Sequence, residues 1–232
     1  MSLASAPLRP LRVPKVLALL GAESTGKSTL AAQLTEALSN RGQRVLRVDE
    51  YLREFCDRAG RTPLQSEQVA IAAEQSRRIQ AATGAPTDGS PAPDWVVADT
   101  TALLTAVYSE TVFGDRSLYT DAVQVHSRQV DLTLLTALDL PWQADGLQRD
   151  GPQVRAPVDA LLRGALVQAG IGFSVVAGHG PQRLAAAMAA WSAHERRSAA
   201  PTALGSSRWR HWCARCGDPD CERHLFTRAE NA

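Results

Sequence analysis

Residues 21–28 decide the fold of this chain, and they read Gly21-Ala22-Glu23-Ser24-Thr25-Gly26-Lys27-Ser28. Directly before them stands the apolar run of residues 16–20, which has the length and composition of a buried strand. Directly after them come Leu30, Leu34 and Leu38, whose spacing places them on one face of a helix. A strand, a glycine-containing turn and a helix therefore follow one another without interruption.

The turn fits the pattern G-x-x-x-x-G-K-[ST], which is the phosphate-binding loop of P-loop NTPases. Gly21 and Gly26 permit backbone conformations that aim successive N–H groups inward, and such a nest binds anions. The helix predicted to begin at Lys27 adds its unpaired N–H groups and the positive end of its dipole. We expect Lys27 to reach the β- and γ-phosphates of ATP and the Ser28 hydroxyl to hold Mg²⁺. The predicted nucleotide contacts are Gly21, Glu23, Ser24, Thr25, Gly26, Lys27, Ser28 and Thr29.

The bulk composition limits the remaining possibilities. A chain of 232 residues can form one α/β domain with a core and a small appendage. The 25 Lys and Arg residues balance the 24 Asp and Glu residues to a net charge of +1, so the overall charge does not indicate nucleic acid. No apolar run reaches the length of a membrane span. Of the 4 cysteines, Cys56 stands alone and the others are clustered, which favours a reducing cytoplasm over a disulfide framework.

The chain alternates between strand-like and helix-like segments, which predicts an α/β fold: a three-layer sandwich with a parallel sheet and helices on both faces. The expected strands are residues 16–20, 44–48, 95–98, 130–136 and 173–177. The expected helices are residues 27–39, 52–59, 62–82, 100–113 and 117–128, and two further helices that start at Pro157 and Pro181. A capping box at Thr62, with Pro63 at the first helical position, is expected to open the helix over residues 62–82. We expect a disordered leader over 1–15, a P-loop domain over 16–196, a linker over 197–208 and a Cys/His tail over 209–232.

Three acidic residues follow predicted strands, at the sheet edge where parallel α/β folds bind ligands. Asp99 comes after an apolar strand, as a Walker B aspartate does, and is expected to bind Mg²⁺ directly or through water. Its alternative role is to cap the helix that follows. Either Asp49 or Glu50 is the candidate to orient and deprotonate a substrate hydroxyl, the alternative being a solvated acidic turn.

Phosphoryl transfer also needs positive charge near the migrating group. Arg149 lies in the loop after the fourth strand, where small P-loop kinases carry a mobile lid, and Arg155 follows it; both can close over the phosphates of ATP. Arg53 can point into the same cleft. Trp142 and Tyr51 can stack on a substrate ring, although aromatic side chains more often fill a core.

Four segments in this order resemble the nicotinamide riboside kinase domain, the C-terminal part of the bifunctional regulators of NAD synthesis: GAESTGKSTLA, EYLREF, ADTTALLT and PWQADGL, the last followed by Arg149 and Arg155. That domain belongs to a wider group of small P-loop ATPases of the AAA type. The resemblance covers residues 16–193. The phosphate loop is generic, whereas E-Y-x-R-E-F and P-W-x-x-D-G-L are more specific. The fold that the resemblance implies is that of a nucleoside-kinase-like P-loop domain.

The activity that the resemblance implies is ATP-dependent phosphorylation of a ribosyl 5′-hydroxyl in NAD biosynthesis. It places Glu50, Tyr51 and Arg53 near the acceptor and makes the Trp142 segment a lid. Two departures bear on the substrate. Asp49 stands where the riboside kinases tend to carry an aromatic residue that stacks on nicotinamide, and 232 residues leave no room for the adenylyltransferase and DNA-binding parts. The predicted catalytic residues are Lys27, Asp49, Glu50, Asp99 and Arg149.

Three classes of function stay open from the sequence. The first is a kinase for a small riboside or nucleoside. The second is a regulatory ATPase whose hydrolysis switches a partner docked on the tail, and the third is a nucleic-acid-linked ATPase that uses the basic aromatic residues 208–215. Full activity of a chain truncated at Ser198 on a small acceptor favours the first class. ATP turnover that depends on DNA, RNA or protein favours the others.

The tail contains C-x-x-C followed by C-x-x-H, a spacing that can close one tetrahedral zinc site. The four ligands would be Cys213, Cys216, Cys221 and His224, with Gly217 and Pro219 in the intervening turn. His211 can replace His224 only with a more strained loop. The segment has too few apolar residues to fold by burial, so a structural metal would order it. The alternative is a set of unliganded thiols on a frayed tail.

Metal analysis tests the zinc site directly. Protein purified without a His tag should contain about one zinc per chain, because a closed Cys₃His site binds the metal tightly. Replacing Cys213→Ser together with Cys216→Ser should remove the zinc and leave ATP binding intact. Metal-free wild-type protein with an ordered tail would refute the site.

Overall fold

The computed structural model describes residues 13–84, 86, 90–143 and 151–199. Within them, five parallel strands form one sheet in the order β2-β3-β1-β4-β5. The strands are β1 (Lys15–Leu20), β2 (Val45–Val48), β3 (Trp95–Asp99), β4 (Leu132–Thr136) and β5 (Phe173–Val176). The predicted parallel sheet is confirmed, and its central strand is the one that leads into the phosphate loop.

Helices cover both faces of the sheet, as predicted. They are α1 (Lys27–Ser39), α2 (Tyr51–Ala59), α3 (Gln68–Thr83), α4 (Ala102–Phe113), α5 (Tyr119–Gln129), α6 (Arg155–Gln168) and α7 (Pro181–Ala199). Successive residues of a strand point to opposite faces. On β1, Leu17 and Leu19 therefore pack against α1 and α7, whereas Leu20 packs against α4 and α6.

The core explains why the sequence around the phosphate loop has its apolar pattern. Leu30, Leu34 and Leu38, the predicted stripe of α1, are fully buried against the sheet. Residues of β1, β3 and β4 are buried on both faces because helices cover both, which is why these strands read as continuous apolar runs. Burying each such side chain contributes roughly 1.5–3 kcal/mol.

Four helix starts differ from the prediction by two residues or more, and two of these, α4 and α5, each begin two residues later than expected. The helix expected from Thr62 begins as a 3-10 turn at Gln65 and continues as α3. The Glu67 carboxylate accepts the Leu64 N–H at 2.7 Å. The cap therefore lies at Leu64 and not at Thr62, and Pro63 precedes the helix. In addition, α6 begins two residues before Pro157, which a proline in the first turn permits.

The chain divides into two units, Met1–His194 and Glu195–Ala232, and the structure describes the second only over residues 195–199, the end of α7. Residues 197–199, expected to begin a linker, are helical. Lys15, the last residue of the leader predicted over residues 1–15, belongs to β1. Residues 1–12 of that leader and the predicted zinc tail lie outside the described residues. Across the described ranges, no helix is long and apolar enough to cross a membrane.

His126 on α5 is a polar residue within the core, with 1 % of its surface exposed. Its Nδ1 lies 2.9 Å from the Thr101 hydroxyl and its Nε2 lies 2.9 Å from the Thr133 hydroxyl. Burial lowers the pKa of His126 to about 4, since the charged imidazole cannot be solvated there. The neutral ring therefore ties α5 to β4 and to the segment before α4.

Acid should weaken the fold through His126. In the unfolded chain, His126 takes up a proton near pH 6.5. In the folded chain, it does so only near pH 4. The free energy of unfolding should therefore fall between these pH values by on the order of 3 kcal/mol from this residue. Urea unfolding of wild-type protein and His126→Gln across this range measures the difference.

His126→Gln should show a shallower dependence of stability on pH than the wild-type protein, because the substitution removes the group that takes up the proton. Equal pH dependence in wild-type and His126→Gln proteins would show that His126 does not titrate with folding.

Candidate active site

The phosphate loop connects β1 to α1 through backbone conformations that few residues adopt. Gly21 has φ 147°, Ser24 has φ 55° and Gly26 has φ 76°. A Cβ atom at Gly21 would lie 2.0 Å from Oγ1 of Thr136, the last residue of β4. Only glycine therefore fits at the first position of the motif, for a steric reason as well as a conformational one.

Two buried threonines hold the loop against the sheet. The Thr25 hydroxyl donates to the Ala22 carbonyl at 2.7 Å. The Thr136 hydroxyl lies 2.7 Å from Thr25 Oγ1, which can accept its proton, and 3.1 Å from the Leu20 carbonyl. The end of β4 thus restrains the loop where the chain leaves β1.

Lys27 is the first residue of α1 and is buried at 8 % exposure. Its Nζ donates to the Ala22 carbonyl at 2.9 Å, so the side chain folds back across the loop. Gly26, the N-cap, offers no side chain to the first N–H groups of α1. The exposed Ser28 follows directly. The loop therefore presents a cation, a helix N-terminus and a hydroxyl to an anionic ligand.

Arg183 on α7 joins the loop to two other segments. Its guanidinium pairs with Asp139 at 2.6 Å and donates to the carbonyls of Thr25 at 2.8 Å and Gly178 at 2.8 Å. Burial alone would raise the pKa of Asp139, but hydrogen bonds from Arg183 and the Gly178 amide outweigh it and leave the pKa below its ordinary value. Asp139 is therefore a carboxylate at neutral pH, and Arg183 positions the phosphate loop.

A first cavity of 690 Å³ opens on one side of the loop. Glu50 and Arg53 line it from the start of α2, and Tyr108 and Phe113 line it from α4. Burial raises the pKa of the Cys56 thiol, which also lines the cavity, and the negative charges of Glu50 and Asp57 add to this. The loop contributes Glu23, Ser24, Thr25, Gly26, Lys27, Ser28 and Thr29.

A second cavity of 460 Å³ lies between the loop and the segments that follow β4 and β5. Leu140 and Gly180 line it together with Arg183. The Ser24 hydroxyl accepts the Gln143 N–H at 2.7 Å, which connects the segment after β4 to the loop. Three loop residues line both cavities: Ser24, Gly26 and Thr29. The phosphate loop therefore forms the floor that the two cavities share.

Asp99 ends β3 beside Leu19 of β1 and is 2 % exposed. Its Oδ1 is buried without a hydrogen-bond partner in the described part of the chain. The N-cap of α4 is Thr101, whose hydroxyl accepts the Leu103 N–H at 3.4 Å, so the capping alternative for Asp99 is wrong. A buried carboxylate oxygen of this kind suits a divalent cation, since carboxylates are preferred ligands of Mg²⁺.

Several residues expected at the acceptor lie outside both cavities. Asp49 is exposed and pairs with Arg47 at 2.7 Å. Tyr51 packs under Arg78, whose guanidinium carbon lies 4.4 Å from the ring centroid, and its hydroxyl accepts from Arg58 at 2.9 Å. The E-Y-x-R-E-F motif thus divides between the cavity, through Glu50 and Arg53, and an ion-pair network between α2 and α3.

The segment after β4 differs in part from the expectation. Trp142 is half-buried and lines neither cavity. Arg155 is buried and donates to the Leu140 carbonyl at 2.9 Å, so it supports the rim of the second cavity. Arg149 lies outside the described residues, as do Cys213, Cys216, Cys221 and His224. Within the described ranges, no group of three His, Cys, Asp or Glu side chains could hold a metal ion by itself.

Sequence analysis missed Arg183 and Thr136. Arg183 has a recognisable signal, because it precedes Ala187 and Trp191 at four-residue spacing and so occupies the buried face of α7. A charged residue at such a position needs an internal partner, which here is Asp139. Thr136 ends a predicted strand, and no local pattern indicates that it would meet the loop.

The sheet order, the loop and the ligand-facing edge define a P-loop NTPase-like α/β domain. The model of the AAA domain family matches residues 16–183, which is more than half of the chain. The chain therefore belongs to the AAA domain family. No curated protein matches the sequence.

Two solved structures of NadR protein show the same fold. One is the complex with NAD and AMP-PNP, at 19 % identity and a TM-score of 0.61, covering 78 % of this chain and 49 % of that chain. The other is the complex with NR, at 20 % identity and a TM-score of 0.61, covering 78 % of this chain and 51 % of that chain. This chain thus spans about half the length of each. The resemblance read from the sequence is confirmed.

Loss of Arg183 should loosen the phosphate loop. In Arg183→Gln, Asp139 loses its charge partner and the Thr25 carbonyl loses its donor. The free energy of unfolding should fall by about 2–3 kcal/mol, less than for a fully buried pair because Asp139 is 29 % exposed. The Kd for MgATP should rise at least about tenfold, as expected when a positioning contact is lost. Urea unfolding and titration calorimetry measure the two effects.

Arg163→Gln serves as the control, because Arg163 forms an i,i+4 pair with Asp159 within α6 and its side chain is 37 % exposed. Its effect on stability should stay below about 0.5 kcal/mol. MgATP affinity in Arg183→Gln within twofold of wild type would contradict the positioning role.

Proposed function

We propose that this protein is an ATP-dependent kinase that transfers the γ-phosphate of ATP to the hydroxyl of a small ribosyl acceptor. Nicotinamide riboside is the best single candidate. The observation that carries the proposal is the arrangement of two cavities around one phosphate loop, with the Glu50 carboxylate lining the first of them. A hydrolase of ATP needs one cavity, whereas a kinase needs a second for the acceptor.

The nucleotide would occupy the second cavity and the loop. Its nucleoside fits between Leu140 and Gly180, and its phosphates extend along the loop toward Lys27. Lys27 would then exchange the Ala22 carbonyl for phosphate oxygens, a stronger charge-assisted contact. The NadR complex with AMP-PNP supports ATP as the nucleotide, because a protein with a similar fold binds an ATP analogue.

Mg²⁺ would be held by the Ser28 hydroxyl and the Asp99 carboxylate. The buried, unpartnered Oδ1 of Asp99 fits this role. The ion would supply neutralisation of the charge on the β- and γ-phosphates. Lys27 and the N-terminus of α1 would also neutralise charge on the phosphates. Most of the positive potential that phosphoryl transfer requires would therefore come from the loop.

The acceptor would occupy the first cavity, whose 690 Å³ lies within the range of small-molecule sites. Glu50 would orient the acceptor hydroxyl and take its proton as the oxygen bonds to the γ-phosphorus. The bond from that phosphorus to the β,γ-bridging oxygen breaks in the same step, and ADP leaves. We choose Glu50 over Asp49 as the base, because Glu50 lines this cavity and Asp49 lines neither cavity.

Recognition of the acceptor ring would differ from that in the riboside kinases. The expected aromatic at position 49 is absent, and Tyr51 is held beneath Arg78. Tyr108 and Phe113, which come from α4, are the aromatic residues that line the cavity instead. We therefore expect weak selectivity between nicotinamide and other rings. The NadR complex with NR supports a riboside as the acceptor class.

Acceptor-dependent ADP release tests this proposal. Nicotinamide riboside with MgATP should yield nicotinamide mononucleotide, and a panel of nucleosides should show related rates. Glu50→Gln should lower kcat at least about a hundredfold with little change in the KM for ATP, because only the proton acceptor is lost. Lys27→Ala and Asp99→Asn should each lower kcat at least about a hundredfold.

Asp49→Asn is the matched control for Glu50→Gln, since it neutralises the adjacent carboxylate outside the cavity. It should keep wild-type turnover within about twofold. Absence of a phosphorylated product from every ribonucleoside would reject the kinase. Near-normal rates in Lys27→Ala or Asp99→Asn would reject the nucleotide site.

A further inference from the structure

Gln75 is a polar residue in the buried stripe of α3. It lies between Ile71 and Ile79 at four-residue spacing and is 2 % exposed. It lines neither cavity, so it does not touch a ligand bound there. A buried amide needs partners for one acceptor and two donors, and the partners of Gln75 lie at the ends of two strands.

The oxygen of Gln75 caps α2. Its Oε1 accepts the Tyr51 N–H at 2.7 Å, and Tyr51 is the first residue of that helix. Glu50, the N-cap residue, makes no side-chain capping bond. The first turn of a helix has N–H groups that need acceptors, and the N-cap side chain usually supplies one. Gln75 supplies one here, and Glu50, which lines the first cavity, does not serve as the cap.

The nitrogen of Gln75 faces two carbonyls. Its Nε2 lies 3.4 Å from the Thr100 carbonyl and 3.5 Å from the Asp49 carbonyl, both long hydrogen bonds. Thr100 follows Asp99 and has φ 79°, a left-handed conformation that a β-branched residue adopts only when its surroundings impose it. The Thr100 N–H donates to the Leu19 carbonyl at 3.1 Å, and Gln75 holds the other side of the residue.

We propose that Gln75 is a positioning residue that sets the end of β2, which carries Glu50, relative to the end of β3, which carries Asp99. The Gln75 amide connects the two turns. It therefore fixes the position of Glu50, the predicted base, relative to Asp99, the predicted metal ligand. The inference rests on the proposed kinase function for its effect on turnover. Its geometric content, the bridge between Tyr51 and Thr100, does not depend on that function.

Gln75→Met tests the bridge, because methionine has nearly the same length and shape and makes neither bond. The kcat for the acceptor should fall at least about tenfold while the KM for ATP changes less than about twofold, since Gln75 lines neither cavity and the phosphate loop keeps its contacts. Gln80→Met is the matched control, as Gln80 is exposed on the same helix. It should leave both parameters at wild-type values.

Rescue distinguishes positioning from a general packing defect. In Thr100→Gly, the left-handed conformation needs no enforcement, because glycine adopts it readily. Adding Gln75→Met should then lower kcat by a smaller factor than it does in the wild-type background. Equal factors in the two backgrounds would show that Gln75 does not hold Thr100 and would overturn this half of the proposal.

Hydrogen exchange of the Tyr51 amide provides a readout that needs no enzymatic activity. The amide should exchange at least about tenfold faster in Gln75→Met, whereas Gln75→Glu, which keeps an acceptor, should retain most of the protection. Unchanged Tyr51 exchange in Gln75→Met would overturn the bridge. If the wild-type protein phosphorylates no ribonucleoside but Tyr51 still exchanges faster in Gln75→Met, the kinase function is rejected and the bridge stands.

Discussion

The close approach of Gly21 to Thr136 is the contact on which the rest of the site depends. A single added carbon at Gly21 would meet the threonine hydroxyl at 2.0 Å. The Thr25 hydroxyl adds a second attachment to the same threonine at 2.7 Å. The loop is therefore fixed to the end of β4, and this attachment to the sheet determines where the backbone N–H groups of the loop point. Rigid attachment of this kind lets backbone groups bind phosphate without reorganising.

Two positively charged side chains at the phosphate loop are buried. Lys27 and Arg183 are both buried, and burying a charge is unfavourable unless other groups compensate it. Arg183 has Asp139 and three carbonyls, among them that of Thr25, as partners. The Lys27 ammonium donates to the Ala22 carbonyl. A phosphate on the loop would give Lys27 a charge-assisted hydrogen bond, which is stronger than a bond to a neutral carbonyl.

The sequence predicted the sheet, the helix stripes and the phosphate loop because each has a local signal. Apolar runs identify β1 and β3, and the spacing of Leu30, Leu34 and Leu38 identifies the buried face of α1. Side-chain direction at the strand ends has no such signal. Asp49 and Glu50 are adjacent in sequence, yet one pairs with Arg47 and the other lines a cavity. Their directions depend on tertiary partners.

Two further residues show what the periodicity could have revealed. Gln75 lies in the buried stripe of α3 and Arg183 in that of α7, each at a position where the helical pattern calls for an apolar residue. Polar residues at such positions need internal partners, and these two connect the turns that form the site. The helix that contains α3 starts later than the Thr62 pattern predicts, because Glu67 accepts the Leu64 N–H and so caps the helix further along the chain.

A crystal structure with AMP-PNP, Mg²⁺ and nicotinamide riboside tests the central claim most directly, namely that one loop serves two cavities. The account expects the adenosine in the second cavity, between Leu140 and Gly180, and the riboside in the first. The ribosyl hydroxyl should lie within hydrogen-bond distance of the Glu50 carboxylate. Adenosine in the first cavity, or a riboside hydroxyl remote from Glu50, would contradict the account.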